Sequence, residues 1–152
     1  MSRLLDIPIR MESIERTGGL GGGVGAVLTE LAGLLEQLLL GVESAAIDLR
    51  SLPMSADDRK ELQRVLGEGE LEATLNAEGL STFRETRMSG VWWVTHRDRD
   101  GEIIAELIEV ARMPPMLLSS PEEIAISAHT LRQIQPKGQD NHSTGAPHET
   151  RQ

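Results

Sequence analysis

The sequence predicts an α+β fold in which an antiparallel β-meander of about four strands packs against three helices. Two observations lead to this prediction. Apolar residues recur at helical spacing in three segments that carry helix start or stop signals. Between the second and third of these segments, apolar and polar residues alternate, which is the period of a half-buried strand. A short apolar segment at 45–49 is a candidate for one more strand.

The first two helices are marked by their apolar spacing and their ends. Apolar residues from about 24 to 40 cover a broad helical face, and Gly41 follows as a stop signal. Ser55 with Asp58 three residues later is typical of a capping box. The helix that it opens is predicted to end at Leu66, before Gly67.

The third helix has the clearest start. In Ser120-Pro121-Glu122-Glu123, proline occupies the first helical position and two acids lie near the positive end of the helix dipole. Its predicted buried stripe consists of Ile124, Ala128 and Leu131.

The meander is predicted from period-two alternation, with strands at about 71–77, 81–88, 91–97 and 102–111. The Asp100-Gly101 step indicates a hairpin between the last two. This hairpin places Trp92 on one face with Glu109, and Trp93 on the other face with Ile108. We predict that Trp93 is a core residue and that Trp92 is the exposed one.

Composition limits the kinds of partner, chemistry and location that this protein can have. The 152 residues include 24 acidic and 15 basic side chains, a formal net charge of −9, which argues against nucleic acid or anionic lipid as a partner. The absence of cysteine excludes disulfides and thiolate ligation by this chain. The most apolar segment contains Glu30 and Glu36 and is shorter than the roughly 20 residues of a membrane span. We therefore expect a cytoplasmic protein without membrane insertion.

Three regions are predicted along the chain. Residues 1–17 are polar and weakly patterned, and form a flexible lead. Residues 18–134 form a single α+β domain. Residues 135–152 contain no Ile, Leu, Val, Met or aromatic residue, so they cannot build a core and are expected to be disordered.

Motifs for cofactor or metal chemistry are weak. Residues 21–26 match a dinucleotide-binding glycine pattern, but no strand precedes them, so a glycine-rich hinge is the better explanation. Four histidines occur without metal-ligand spacing. No metal, cofactor or catalytic residue is predicted. Glu68, Glu70 and Glu72 recur every second residue on one predicted strand face, either as a solvated face or as a recognition edge for a basic peptide.

Several segments in a fixed order resemble one family. They are Ile47-Asp48-Leu49-Arg50-Ser51-Leu52-Pro53, Leu66-Gly67-Glu68-Gly69-Glu70, Gly90-Val91-Trp92, and Ile108-Glu109-Val110-Ala111 followed by Pro114. Together they resemble the HupH family of hydrogenase expression proteins, the HupH/HyaF-type accessory factors of nickel–iron hydrogenase operons. The resemblance covers roughly residues 20–132.

The resemblance implies a maturation factor or chaperone and not an enzyme. Such a factor is expected to hold the hydrogenase small-subunit precursor while iron–sulfur clusters are inserted, alone or with other maturation factors. With Glu72 added from the strand pattern, the motif positions give the predicted partner-binding residues Gly67, Glu68, Gly69, Glu70, Glu72, Gly90, Trp92 and Glu109. Typical members carry the motif-bearing unit in tandem, whereas this chain has one, so we expect a homodimer that restores two units.

Two other classes of function stay open. One is a small hydrolase or isomerase that uses carboxylates around Glu70 together with His96, which would require a pocket holding both. The other is a generic homo-oligomeric interaction module.

Overall fold

The computed structural model describes residues 22–135 of the chain, so the predicted lead and all but the first residue of the predicted tail lie outside the described residues. The elements are α1 (Gly22–Leu39), β1 (Ala45–Asp48), α2 (Ala56–Leu66), β2 (Glu72–Asn76), β3 (Leu80–Glu85), β4 (Val91–Arg97), β5 (Ile103–Val110), a 3-10 turn (Pro115–Leu117) and α3 (Pro121–Ile134). The chain divides into two compact units, one ending at Leu118 and one beginning at Ser119.

The first unit is built on a five-stranded sheet in the order β1-β5-β4-β3-β2, with every neighbouring pair antiparallel. The α+β prediction is confirmed, and the candidate strand at 45–49 is real. Strands β2 to β5 form the meander, while β1 pairs with the far side of β5. The two outer strands of the sheet are therefore β1 and β2.

One face of the sheet is covered by α1 and α2. A contiguous apolar cluster joins Trp93, Ile108 and their neighbours on the strands to buried residues of both helices, namely Val24, Val27, Leu31, Leu62 and Leu66. By length and composition α1 could cross a membrane, with a mean hydropathy of 1.2, but core helices of soluble proteins meet the same test. Val24, Val27 and Leu31 of α1 are buried in this cluster, whereas Leu39 at its end is 87% exposed.

The opposite face carries a smaller cluster of Phe83, Trp92 and Val94, against which Leu117 of the 3-10 turn packs. The predicted hairpin faces are confirmed by the register, which sets Trp92 opposite Glu109 and Trp93 opposite Ile108. Because the hairpin is apolar on both sides, each face needs cover. The segment after β5 provides part of it on this side.

The second unit contains α3, which begins with the predicted capping box between Ser120 and Glu123. The predicted buried stripe of α3 is wrong, since Ile124 and Leu131 are 58% and 59% exposed and none of its residues is buried. The physical reason lies in the unit itself. Among the described residues of this unit α3 is the single element, so that part of the unit contains no second element for the stripe to pack on.

Candidate functional site

The connection between α2 and β2 runs beside the end of β3. Gly67 ends α2 with a positive φ of 65°, and its N–H donates to the carbonyl of Gln63 at 2.9 Å. Positive φ is a conformation that glycine adopts without steric cost. Two residues later, the N–H of Gly69 donates to the carbonyl of Glu85 at 2.8 Å.

Glu70 lies in a bulge at this point. The N–H of Glu85 donates to the carbonyl of Leu71, while the carbonyl of Glu85 accepts from the N–H of Gly69. The three residues from Gly69 to Leu71 therefore lie opposite the single residue Glu85 on β3. The prediction that Glu68, Glu70 and Glu72 share a strand face is therefore wrong. Strand β2 begins only at Glu72, and the two preceding carboxylates belong to the bulged connection.

Two adjoining cavities open along this connection, and Glu68, Arg84 and Glu85 line both of them. The first has a volume of about 130 Å³ and is also lined by Gln63, Gly67, Thr86 and Trp93. The second has a volume of about 220 Å³ and is also lined by Gly69, Glu70, Leu71 and Glu72. We call these two cavities together the acidic groove.

The charge of the acidic groove is dominated by four carboxylates, those of Glu68, Glu70, Glu72 and Glu85. The cation among its lining residues, Arg84, lies across the strand pair from Glu72, with Nε 3.3 Å from Oε2. Both side chains of this ion pair are more than half exposed, and such pairs contribute about 0–1 kcal/mol. The pair can therefore open at little cost when another cation approaches.

The structure brings five of the predicted partner-binding residues together in the groove: Gly67, Glu68, Gly69, Glu70 and Glu72. Gly90 lies elsewhere, in the turn before β4. Its φ is 85°, and a β-carbon there would come within 3.2 Å of Leu35 on α1, so the position requires glycine for backbone reasons.

Trp92 is also outside the groove, and the prediction that it is exposed is wrong. It is 2% exposed, and its indole Nε1–H donates to the carbonyl of Ala111 at 3.1 Å. The physical reason is the segment that follows β5, whose Leu117 packs on the same cluster. Trp93 is 8% exposed, so both tryptophans are buried.

Glu109 lies opposite Trp92 on the face away from α1 and α2. Its side chain is partly buried, and its Oε2 is buried without a hydrogen-bond partner. Burial raises the pKa of Glu109, because a carboxylate is harder to solvate there than its protonated form.

This raised pKa predicts a pH dependence of stability. Between the ordinary carboxylate pKa and the raised one, the native state holds the proton more tightly than the unfolded chain, so stability falls as pH rises through that window. We expect Glu109→Gln to be more stable than the parent chain at neutral pH and to lose this advantage below the ordinary pKa. Urea unfolding at both pH values measures the difference; equal gains at both would contradict the assignment.

Sequence reasoning missed Arg84, Glu85, Gln63 and Thr86 as lining residues. Thr86 is 3% exposed, and its hydroxyl donates to the carbonyl of Val91 at 2.9 Å and accepts from the N–H of Met88 at 3.1 Å, which fixes the turn before β4. Arg84 could have been found only through the register that places it opposite Glu72.

The geometry required by the enzymatic alternative is not found in the described part of the chain. Glu70 lines the acidic groove, whereas the Nδ1 of His96 lies 2.7 Å from the hydroxyl of Ser81, and His96 lines neither cavity. Within residues 22–135, no group of three or more His, Asp or Glu side chains is arranged to hold a metal ion.

A family model now decides the relationship that the motifs suggested. Residues 23–136 match the HupH hydrogenase expression protein, C-terminal conserved region. The chain belongs to this family. The groove residues and the Gly90-Val91-Trp92 segment all lie within the matched region.

Relatives in the HupH family are identical to this chain at about a third of the aligned positions. It is 34% identical over 92 residues to the hydrogenase expression/formation protein HoxQ of Azotobacter vinelandii, covering 60% of this chain and 32% of HoxQ. It is 36% identical over 90 residues to HupH of Rhizobium leguminosarum, covering 58% and 31%. The matched part thus spans about a third of the length of these relatives.

A solved structure shows the same fold. The hydrogenase expression protein HupH from Thiobacillus denitrificans is 36% identical, with a TM-score of 0.70, and the match covers 74% of this chain and 94% of that one. The Escherichia coli hydrogenase-1 operon protein HyaF is more distant in sequence, at 29% identity over 89 residues, covering 59% of this chain and 31% of HyaF.

Proposed function

We propose that this chain is an accessory protein in nickel–iron hydrogenase maturation, which binds the hydrogenase small-subunit precursor while its iron–sulfur clusters are assembled. The observation that carries the proposal is the acidic groove, in a member of a family whose relatives are named for hydrogenase expression and formation. The groove presents the carboxylates of Glu68, Glu70, Glu72 and Glu85 around Arg84, and the guanidinium of Arg87 lies beside Gly67 at one end.

Electrostatics define the kind of segment that the groove would accept. Four carboxylates in a small, open concavity attract lysine and arginine side chains and repel anionic partners. A basic stretch followed by apolar residues, as at the start of a twin-arginine signal peptide, fits this pattern. Such attraction raises the rate of encounter and falls with ionic strength, so binding should weaken in high salt.

The remaining parts of the proposal follow from the same role. The chain acts by binding, without catalysis, metal or cofactor of its own, in the cytoplasm, and other maturation factors can join the complex. A homodimer would supply the two motif-bearing units that the family resemblance implies. Analytical ultracentrifugation at micromolar concentration tests the dimer, and a monomer there would overturn that part.

Charge reversal in the groove tests the binding site. We expect Glu68→Lys combined with Glu70→Lys to reduce capture of the small-subunit precursor by at least about tenfold, since two attractions become repulsions in one site. Both residues are exposed, so folding should be unaffected.

The matched control changes the same net charge elsewhere. Glu30 and Glu36 are exposed on α1, and Glu30→Lys combined with Glu36→Lys should leave capture within about twofold of the parent chain. Equal capture by the groove variant and the control would show that the acidic groove does not hold the precursor.

A further inference from the structure

Strand β2 is an outer strand of the sheet, and its hydrogen-bonding pattern defines which backbone groups are free. Glu85 donates to Leu71 at one end of the β2–β3 ladder, and Ala77 donates to Gly79 at the other. In an antiparallel pair, hydrogen-bonded residues alternate with residues whose N–H and C=O point away. Ala73 and Leu75 therefore bond to β3, while the backbone groups of Glu72, Thr74 and Asn76 point outward.

The opposite edge of the sheet is less open. On β1 the bond from Leu49 to Glu106 fixes the alternation, so Ala46 and Asp48 are the outward-facing residues. The carbonyl of Asp48 already accepts from the hydroxyl of Ser51 at 2.8 Å. In the described part of the chain, β2 is thus the edge strand with three residues, Glu72, Thr74 and Asn76, whose backbone N–H and C=O groups point outward.

The free edge of β2 adjoins the acidic groove. Glu72 belongs to both, and Glu70 in the bulge precedes it along the chain. We propose that a basic, extended segment of a partner polypeptide pairs with β2 as an additional strand, with its cationic side chains on the carboxylates of the groove. This rests on the proposed function and specifies how the partner is bound, by backbone pairing that selects for extended conformation and charge that selects for basic residues.

A second copy of this chain is a poorer occupant of the edge. Antiparallel pairing of two β2 strands about Thr74 would set Glu72 of each copy opposite Asn76 of the other, so it would add no charge attraction to the backbone pairing. A basic segment adds that attraction at Glu72, and charged residues on an edge strand are a common means of preventing self-association.

Amide hydrogen exchange followed by NMR tests the pairing. The probe is a synthetic peptide in which arginine alternates with valine, so that one face of the added strand is cationic. We expect the peptide to slow exchange at Glu72, Thr74 and Asn76, whereas Ala73 and Leu75, already bonded to β3, should change little. Binding without slower exchange at the three outward amides would overturn strand pairing.

A proline variant gives a second, independent test. Thr74→Pro removes an outward N–H that β3 does not use, and proline is tolerated at such positions of edge strands. We expect it to weaken peptide binding by about tenfold, through one lost hydrogen bond and the bulk of the ring, while Thr74→Ala stays within about twofold. Thermal unfolding of both variants verifies that the fold is retained.

The outcomes separate this inference from the proposed function. If Thr74→Pro and Thr74→Ala bind the peptide and the small-subunit precursor equally, strand pairing is wrong even though the groove still binds its partner. Slowed exchange that depends on protein concentration in the absence of peptide would assign the edge to a second copy and overturn the proposal. If the peptide pairs with β2 but the precursor does not bind at all, strand pairing stands and the proposed client is wrong.

Discussion

Replacing Trp92 with alanine should lower the free energy of unfolding by about 3–5 kcal/mol, as is typical of a buried tryptophan truncated to alanine. Trp92 is 2% exposed and packs with Phe83 and Val94 on the face of the sheet away from α1 and α2. The truncation leaves a cavity there. It also removes the donor to the carbonyl of Ala111, and an unsatisfied buried carbonyl adds to the cost. Urea unfolding followed by circular dichroism measures the change.

Two control variants separate the causes of this loss. Trp92→Phe keeps most of the ring but not the indole N–H, so it should cost less than the alanine variant, with about 1 kcal/mol from the hydrogen bond. Leu39→Ala changes a leucine that is 87% exposed, and should stay within about 0.5 kcal/mol of the parent chain. If Trp92→Ala were as mild as Leu39→Ala, Trp92 would be a surface residue after all.

The same comparison decides whether Trp92 contacts a partner. A residue that acts only through packing should leave partner affinity unchanged in the Phe variant, once the protein is shown to be folded. A large loss of precursor binding in folded Trp92→Phe would instead restore the prediction that this tryptophan is part of the binding surface.

The hairpin illustrates what the sequence determines locally. The Asp100-Gly101 step and period-two alternation were sufficient to place Trp92 with Glu109 and Trp93 with Ile108. That the face of Trp92 is covered as well could not follow from that pattern. It depends on Leu117 and its neighbours, which lie more than twenty positions after the tryptophans. No periodic pattern in the sequence shows that this segment packs on the sheet.

Helix ends were predictable for a similar reason. The capping boxes of Ser55 with Asp58 and of Ser120 with Glu123 are interactions between residues three apart, and both are present. The buried stripe of α3 was wrong because burial needs a second surface, and a single helix segment carries no information about where that surface lies. Apolar spacing alone therefore predicts a helix better than it predicts the packing of that helix.

Part of the lining of the acidic groove could be predicted from the sequence. Glu68 and Glu70 stood out as regularly spaced carboxylates, but their assignment to a strand failed because Gly69 allows the chain to bulge beside β3. Arg84 and Glu85 enter the groove through strand register, which links positions more than ten residues apart. A single sequence shows neither the bulge nor the register directly.

Gly69→Ala is expected to be the most damaging of the small substitutions near the groove. A β-carbon at this position would lie 2.6 Å from the carbonyl oxygen of Thr86 and 3.0 Å from that of Glu85. Both are backbone atoms that cannot rotate away, so the connection must move from β3 and loses its bond to Glu85. We expect a loss of about 2–3 kcal/mol in the free energy of unfolding, within the usual range for overpacking.

The control for Gly69 is a glycine with free space around it. Gly33 lies inside α1, where an added β-carbon would meet no neighbouring part of the chain within 4 Å, and Gly33→Ala should raise stability by about 0.5–1 kcal/mol through helix propensity. Opposite signs for the two substitutions in urea unfolding would show that Gly69 is required by close approach and Gly33 is not. Because the Gly69 methyl also displaces Glu68 and Glu70, the folded fraction of Gly69→Ala should bind the small-subunit precursor more weakly, whereas Gly33→Ala should bind it normally. A Gly69→Ala variant as stable as the parent chain would mean that the bulge can widen freely and that close approach does not require glycine at this position.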